Sequence, residues 1–322
     1  MIPRAHRTIA EEREIADDAS DFVEALLKGL TSEPKRIPCK FFYDAEGSRL
    51  FEKICALPEY YPTRIELALL RRHAEQIAAL IGPRCEIMEF GAGAGEKIRP
   101  LLNALDRACA YFPIDISGPY LQSVAGEIQA KYPALAVHPI VADFTASVSL
   151  PGMKGARRVG FFPGSTIGNF EPEAARRFLK QAARVLKGGG LLIGVDLVKD
   201  PAVLHAAYND RSGVTEAFNK NLLVRANREA GANFDLARFA HYAFYNPLQR
   251  RIEMYLVSTA AQRVGVCGRA IPFREGEAIH TENSHKYTLE DFRALAASAG
   301  FVPRAMWCDE DRFFSIHWLE SP

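Results

Sequence analysis

The sequence has little of what marks several common classes of protein. Its 6 cysteines form no Cys-x-x-Cys pair, so neither a zinc knuckle nor a disulfide framework is indicated, and reduced thiols predict a cytoplasmic protein. The 40 basic and 39 acidic residues nearly cancel, which gives no reason to expect a nucleic acid or a membrane surface as partner. No apolar run approaches the length of a membrane-spanning helix.

Internal repeats and low-complexity segments are missing as well. The first residues, Met1–Arg7, are polar, so we do not expect a secretory signal peptide. The composition is otherwise that of a globular protein, and 322 residues suffice for two domains or for one elaborated domain.

A glycine-rich turn is the feature around which the rest of the chain is organised. Gly91, Gly93 and Gly95 follow a short apolar run that ends at Glu89 and Phe90. Glycines let the backbone turn sharply and let a ligand lie against it. In doubly wound α/β domains such strand–turn–helix units bind adenosine-containing cofactors, although a similar turn can merely join a strand to a helix.

Two further predicted strands also end in an acid. The run 108–114 is followed by Asp115, at the distance from the turn where nucleotide-binding folds place the acid that binds the ribose hydroxyls. The run 136–141 is followed by Asp143 and Phe144, an acid and an aromatic ring suited to the adenine amino group and ring face. Alternatively, Asp115 and Asp143 are helix caps or turn residues.

The identity of the cofactor is indicated by Glu89. A dinucleotide fingerprint is Gly-x-Gly-x-x-Gly, whereas this chain has Gly-x-Gly-x-Gly with a carboxylate two residues before the first glycine. That carboxylate would repel a pyrophosphate but would favour a sulfonium with an amino-acid tail. S-adenosylmethionine, which leaves S-adenosylhomocysteine after transfer, is therefore favoured over NAD.

Strands and helices alternate up to Asp196, which predicts a parallel sheet with right-handed crossovers. A polar loop, 164–170, follows the predicted strand 159–163 at the edge where substrates sit in such folds. Asn169 in this loop is a candidate for binding a polar substrate group, or it caps the next helix.

After residue 199 the pattern changes to two helices and several strand-like runs, which is typical of an inserted α+β domain covering the site. Upstream, Tyr60 and Tyr61 are flanked by Pro58 and Pro62, and Tyr43 follows a proline-punctuated loop. The three tyrosines either form a substrate lid or pack under a loop. The final strands, 302–308 and 313–319, would complete the sheet as an antiparallel pair.

We predict two domains on this basis. The ranges 65–199 and 288–322 would form the S-adenosylmethionine-binding domain, and 11–64 and 200–287 would form the substrate-binding domain.

The segment 280–285 suggests the kind of substrate. In an extended strand Glu282 and Ser284 point to the same face, where a carboxylate and a hydroxyl could bind the two ring nitrogens of an imidazole. His280, Glu282 and His285 could instead ligate a metal, although His285 would face away on a regular strand. A charged, exposed strand face is the third interpretation.

Six segments of the chain resemble the L-histidine Nα-methyltransferases of ergothioneine biosynthesis. They are Phe41–Asp44, Leu57–Arg64, Gly164–Asn169, Asp196–Asp200, Arg251–Met254 and Thr281–Ser284. The resemblance, which runs from residue 35 to the C-terminus, implies an α/β fold: a Class I S-adenosylmethionine-dependent methyltransferase with a Rossmann-like doubly wound sheet and a second, α+β substrate-binding domain. It also implies three methyl transfers to the α-amino group of histidine, giving hercynine (Nα,Nα,Nα-trimethylhistidine).

The resemblance also implies roles for particular residues, with no metal. The cofactor would bind to Gly91, Lys97, Asp115, Asp143 and Phe144. Asn169 and Tyr208 would bind the substrate carboxylate, and Glu282 and Ser284 would bind the imidazole, with Met254 lining its pocket. Tyr60 would lie beside the substrate, and the catalytic Tyr43 would lie near the amine. We expect a monomer.

Ala94 and Gly95 depart from the Thr-Ser-type pair expected before Glu96 and Lys97, a change that backbone contacts to the cofactor should survive. Another amino acid, such as an indole one, would be a competing substrate, but Glu282 argues against it because burying a carboxylate against an apolar ring is costly. The sequence is also compatible with a cofactor-binding relative that has no turnover and with a dehydrogenase.

Overall fold

The computed structural model describes residues 9–145 and 157–322. Within these ranges no helix has both the length and the apolar character that crossing a membrane requires. The N-terminal part consists of α1 (Ile9–Leu30), β1 (Lys35–Arg36), a 3-10 turn (Cys39–Phe42), α2 (Ala45–Cys55) and α3 (Tyr61–Ile81).

The middle of the chain alternates strands and helices. Its elements are β2 (Cys85–Phe90), α4 (Ile98–Ala104), β3 (Ala110–Asp115), α5 (Gly118–Lys131), β4 (Ala136–Val137), β5 (Ile140–Val141), β6 (Arg157–Phe162), a 3-10 turn (Thr166–Asn169), α6 (Pro172–Val185) and β7 (Gly190–Asp196).

The remaining elements are two helices, a block of strands and a closing helix with two strands. They are α7 (Pro201–Tyr208), α8 (Val214–Glu229), a 3-10 turn (Leu236–Arg238), β8 (Phe239–Asn246), β9 (Arg251–Ser258), β10 (Gln262–Val266), β11 (Arg269–Phe273), β12 (Ala278–His285), α9 (Leu289–Ser298), β13 (Val302–Cys308) and β14 (Phe314–Glu320).

The larger sheet has the order β13-β14-β7-β6-β2-β3-β4, with β5 also pairing with β3. Strands β2, β3, β6 and β7 are parallel, and β14 runs antiparallel to β7 and β13. Every residue of β2 and β7 is buried, because apolar clusters cover both faces of the sheet. The predicted doubly wound, Rossmann-like sheet is thereby confirmed.

The smaller sheet has the order β1-β12-β9-β8. One apolar core joins it to α1, α2 and α8, so the N-terminal segment and the inserted region pack together. The division of the chain into two domains, with its boundaries, stays a prediction.

Two details differ from the expectations. The predicted strand 136–141 is two short strands. The amide of His138 still donates to the carbonyl of Tyr111 on β3, at 2.8 Å, but Pro139 cannot donate, so the ladder is interrupted there. Strand β11 was not predicted; it contains Pro272, and it pairs only with β10 in a two-stranded sheet where a proline is tolerated.

Candidate active site

A cavity of about 730 Å³ lies where the carboxyl ends of the parallel strands face the smaller sheet. Every residue that the sequence analysis placed in the site lines this cavity: Tyr43, Tyr60, Glu89, Gly91, Gly93, Lys97, Asp115, Asp143, Phe144, Asn169, Tyr208, Met254, Glu282 and Ser284. Residues up to 241 positions apart in the sequence are thus gathered in one place, while their individual roles stay predictions.

The glycine turn leaves room for a ligand. Gly91 and Gly93 have positive φ angles of 74° and 49°, which L side chains rarely adopt. A Cβ atom added to Gly91 would lie 3.5 Å from the ring of Phe144, and one added to Gly93 would meet nothing within 4 Å. The open space beside Gly93 fits a ligand lying against the backbone.

Asp115, at the end of β3, is held by backbone groups. Its two carboxylate oxygens accept hydrogen bonds from the amides of Gly93 and Ser117, each at 3.1 Å. Burial raises the pKa of Asp115, which these bonds oppose. Each oxygen keeps a lone pair, so the carboxylate can accept two further hydrogen bonds, as ribose hydroxyls would offer.

Asp143 lies beyond β5 and is paired with Lys40, whose Nζ is 3.1 Å from Oδ2. Burial alone would raise the pKa of Asp143, but hydrogen bonds from Thr145 and Lys40 lower it overall. The neighbouring ring of Phe144 packs edge-on against Phe162, with the ring centroids 5.5 Å apart. An acceptor and an aromatic ring therefore lie side by side, as an adenine would require.

Glu89 ends in an incompletely bonded carboxylate. The Tyr111 hydroxyl donates to Oε2, but Oε1 has no hydrogen-bond partner within the described residues. Burial raises the pKa of Glu89 to about 8, although Tyr111 and Lys97 act against the rise. A buried acceptor that lacks a partner and faces a cavity fits a cationic ligand group.

Glu66, which the sequence analysis missed, fixes Lys97. Its carboxylate accepts from the amide of Gly164 at 2.9 Å and lies 2.8 Å from Lys97 Nζ. Burial alone would lower the pKa of Lys97, but Glu66 raises it overall, so the ammonium stays charged. An acid on the otherwise apolar face of α3, near Leu69 and Leu70, is the sequence signal that could have identified it.

Aromatic rings form the wall between the two ends of the cavity. The Phe51 ring packs edge-on against Tyr43 and Tyr60, at centroid distances of 5.6 and 6.2 Å, and Tyr60 does the same with Tyr208 at 6.4 Å. Burial and the nearby charge of Glu282 raise the pKa of Tyr43 well above its usual range. Its phenol is therefore protonated at neutral pH and can orient a substrate group, but it is no general base.

Glu282 and Ser284 lie on β12, where a register shift follows His280. Glu282 pairs in register with Met254 on β9, and all three side chains line the cavity. Burial raises the pKa of Glu282 to about 7, and Lys286 opposes this rise. His280 instead contacts Asn283, at 2.8 Å, and the described residues contain no cluster suited to a metal.

A close backbone contact between Gly168 and β12 positions Asn169 next to that strand. It ends the 3-10 turn after β6, and a Cβ atom added to the preceding Gly168 would lie only 2.7 Å from the carbonyl oxygen of His285. Only a glycine therefore allows the turn to approach the strand that carries Glu282 and Ser284.

On the prediction that Asn169 binds the substrate, replacing Gly168 with Ala should raise the KM for that substrate by about tenfold or more, since overpacking of this kind costs about 1–3 kcal/mol and displaces Asn169. Cofactor affinity should change much less. The control is Gly126→Ala, on the exposed side of α5, where an added Cβ atom meets nothing within 4 Å. An unchanged KM in Gly168→Ala would show that Asn169 does not depend on this contact.

A buried charged cluster lies next to Ser284 on the cavity wall, and most of its members were not predicted from the sequence. Asp196 accepts hydrogen bonds from Tyr61, at 2.8 Å, and lies 2.5 Å from Lys199 and 2.8 Å from Lys286. Burial alone would raise the pKa of Asp196, but Lys286 and Lys199 lower it overall. Lys286 could have been found, because it follows Glu282 and Ser284 at strand spacing.

The strand order, with one antiparallel strand beside the last parallel one and a glycine turn after the central β2, defines a Class I S-adenosylmethionine-dependent methyltransferase. Residues 22–321 match the family of histidine-specific, S-adenosylmethionine-dependent methyltransferases, and the chain belongs to this family. The resemblance seen in the sequence is thereby confirmed.

Three relatives show the range of the similarity. A histidine N-alpha-methyltransferase of Mycolicibacterium smegmatis is 41% identical, over 94% of this chain and 95% of that protein. Ergothioneine biosynthesis protein 1 of Neurospora crassa is 30% identical, over 85% of this chain and 32% of that longer protein. A 4-dimethylallyltryptophan N-methyltransferase of Claviceps purpurea (strain 20.1) is 31% identical, over 92% and 94% of the two chains.

Proposed function

We propose that the protein transfers three methyl groups from S-adenosylmethionine to the α-amino group of L-histidine, giving hercynine and S-adenosylhomocysteine as a step of ergothioneine biosynthesis. The observation that carries the proposal is the pair Glu282 and Ser284, a carboxylate and a hydroxyl on the cavity wall. Family membership and the relatives named for histidine and for ergothioneine support it.

The cofactor would lie across the carboxyl ends of β2, β3 and β5. Asp115 would bind the ribose hydroxyls, and Asp143 with Phe144 would bind the adenine. Gly91 and Gly93 would give the backbone room, Glu89 would face the cationic end, and Lys97, held by Glu66, would bind the carboxylate of the amino-acid tail. No metal is part of this proposal.

Histidine would lie between the aromatic wall and β12. Asn169 and Tyr208 are proposed for its carboxylate, Tyr60 and Met254 for its flanks, and Glu282 and Ser284 for its ring. A substrate held at both ends keeps its nitrogen in one place through three rounds, and such positioning can supply much of the rate.

The bound S-adenosylmethionine supplies an electrophilic methyl group, and the protein has to present a neutral amine in line with it. We propose that Tyr43 and water orient the amine while its proton leaves to solvent before each transfer, without a strong dedicated base. The raised pKa of Tyr43 supports this role, since a protonated phenol can orient the amine but cannot remove its proton.

An indole amino acid is the competing substrate within the class, because one relative bears the name of a dimethylallyltryptophan enzyme. Glu282 and Ser284 together argue against it here, since the single N–H group of an indole could donate to Glu282, but an indole has no second ring nitrogen to pair with Ser284. We further propose that the enzyme acts in the cytoplasm as a monomer, without nucleic-acid or membrane partners.

The test is mass spectrometry of reactions that contain the protein, S-adenosylmethionine and either histidine or one of a panel of other amino acids. Histidine should gain three methyl groups, and tryptophan should gain none. Methylation of another amino acid in preference to histidine would overturn the substrate assignment, and cofactor binding without methylation of any amino acid would overturn the assignment as an enzyme.

A further inference from the structure

The ammonium of Lys286 is completely committed to groups of the protein. Its side chain is 1% exposed, and Nζ lies 2.8 Å from Asp196, 2.7 Å from Ser284 Oγ and 3.2 Å from the Tyr208 hydroxyl. Burial alone would lower the pKa of Lys286, but Asp196 raises it overall. The group is therefore a charged donor with three N–H bonds and three acceptors.

Ser284 receives two of the hydrogen bonds in this cluster. Lys286 donates to its Oγ at 2.7 Å, and the Tyr208 hydroxyl donates to the same oxygen at 2.8 Å. A serine hydroxyl has two lone pairs and one proton. Because Lys286 and Tyr208 occupy both lone pairs of Ser284 Oγ, the hydroxyl proton is left to point into the cavity that Ser284 lines.

We propose that Lys286 is a positioning residue that makes Ser284 a hydrogen-bond donor toward the substrate, so that the site selects a neutral imidazole with its bare nitrogen at Ser284 and its N–H at Glu282. The inference rests on the proposed function. A ring that presents an N–H group at Ser284, including the doubly protonated imidazolium, finds no acceptor there.

Two simpler roles for Lys286 fit less well. It is not needed merely to neutralise Asp196, because Lys199 already lies 2.5 Å from that carboxylate. It is also not free to bind the substrate carboxylate, because its three N–H groups are already taken. The Tyr208 phenol can serve that carboxylate only by sharing its single proton between the carboxylate and Ser284 Oγ, so Lys286 and Tyr208 together set the orientation of Ser284.

The test compares histidine with two analogues, pyrrol-2-ylalanine and pyrrol-3-ylalanine. Each keeps one N–H group, at one or the other of the two positions that nitrogens occupy in histidine, and lacks the bare nitrogen. One isomer therefore presents its N–H at Ser284. The measured quantity is kcat/KM for each analogue divided by kcat/KM for histidine.

In Lys286→Met, the Ser284 hydroxyl can rotate and accept a hydrogen bond from a ring N–H group. The ratio of kcat/KM for the analogue to kcat/KM for histidine should therefore rise about tenfold or more for the isomer that presents its N–H at Ser284, and it should stay nearly constant for the other isomer. General damage to the fold would lower all three rates without favouring one isomer. Lys199→Met is the matched control, because it also removes one of the two lysines beside Asp196. Lys199 bonds to Asp196 and to the Leu197 carbonyl, not to Ser284, so both ratios should stay at wild-type values.

Equal ratios in Lys286→Met, Lys199→Met and wild type would overturn the inference, and a wild type that does not methylate histidine would instead overturn the proposed function. Should Lys286→Met fail to fold, Tyr208→Phe removes the other donor to Ser284 and should raise the ratio for one isomer in the same way. No rise for either isomer in a folded Tyr208→Phe would equally count against the inference.

Discussion

Replacing Asp196 with Asn should cost about 3–5 kcal/mol of unfolding free energy, as expected when one partner of a buried ion pair is removed. Asp196 and its lysine partners, Lys199 and Lys286, have side chains that are at most 3% exposed. Without the carboxylate, two ammonium groups would remain in the protein interior with no charge to balance them. Urea unfolding measures the loss.

A distinctive pH dependence should accompany the loss. Burial already lowers the pKa of Lys199 to about 8, although Asp196 opposes this effect, and removing Asp196 would lower the pKa further. The unfolded variant would then hold more protons than the folded one, so its stability should rise with pH until lysines titrate in the unfolded chain, near pH 10.

Asp200→Asn is the matched control for Asp196→Asn. Asp200 is exposed and caps α7 by accepting from the amide of Ala202 at 2.8 Å, a role that asparagine fills equally well. Its replacement should change stability by less than about 0.5 kcal/mol. If Asp196→Asn were as mild as this control, the two lysines would have to be neutral in the folded protein.

The fold was predictable because its signals are local. Buried strands of a parallel sheet read as short apolar runs, and β2 and β7 each follow that pattern up to an acid. The alternation with helices then leaves few topologies. Strand β11 escaped prediction because its five residues include a proline, and its pairing with β10 is decided by tertiary context.

Without the family resemblance, the candidate site was predictable only where its residues follow a local rule. Glu282 and Ser284 could be paired from strand alternation alone. The ion pair between Glu66 and Lys97 could not be predicted in this way, because it joins α3 to the end of the glycine turn and forms only when both elements pack on the sheet. The same holds for Tyr61 and Asp196, which are 135 positions apart.

Lys286 follows the same strand alternation as Glu282 and Ser284. The alternation that places Glu282 and Ser284 on one face also places Lys286 there, two residues further on. A lysine on a buried strand face is rare unless it is paired, and its partner Asp196 lies on another strand of the other sheet. Strand periodicity could have indicated the lysine, but the acid that balances it is visible only in the folded structure.

Replacing Glu282 with Gln should lower kcat/KM for histidine by about 10-fold to 150-fold. A hydrogen bond from a neutral N–H group to a buried charged acceptor is worth about 1.5–3 kcal/mol, and each 1.4 kcal/mol corresponds to about tenfold in rate. Steady-state kinetics with histidine measure the loss, and S-adenosylmethionine affinity should stay close to that of the wild type. A loss below about threefold would mean that the ring does not lie against this carboxylate.

The same substitution should stabilise the ligand-free protein, because the wild type bears the cost of burying the charge. Burial raises the pKa of Glu282 from 4.5 to about 7, so the folded state holds more protons than the unfolded state between these values, and stability falls as pH rises through them. Well above pH 7 the variant should therefore be more stable by roughly 3 kcal/mol, since the rise spans about 2.5 pKa units and each unit is worth about 1.4 kcal/mol.

Glu253→Gln is the matched control for Glu282→Gln, on the neighbouring β9. Burial alone would raise the pKa of Glu253, but hydrogen bonds from Tyr255 and Arg251 lower it overall, so its charge stabilises the fold. Its replacement should lower stability at neutral pH and change kcat/KM for histidine by less than about threefold, since Glu253 makes its bonds away from the cavity. A gain of stability in Glu282→Gln together with a loss in Glu253→Gln would show that the Glu282 carboxylate serves binding and that the Glu253 carboxylate serves folding.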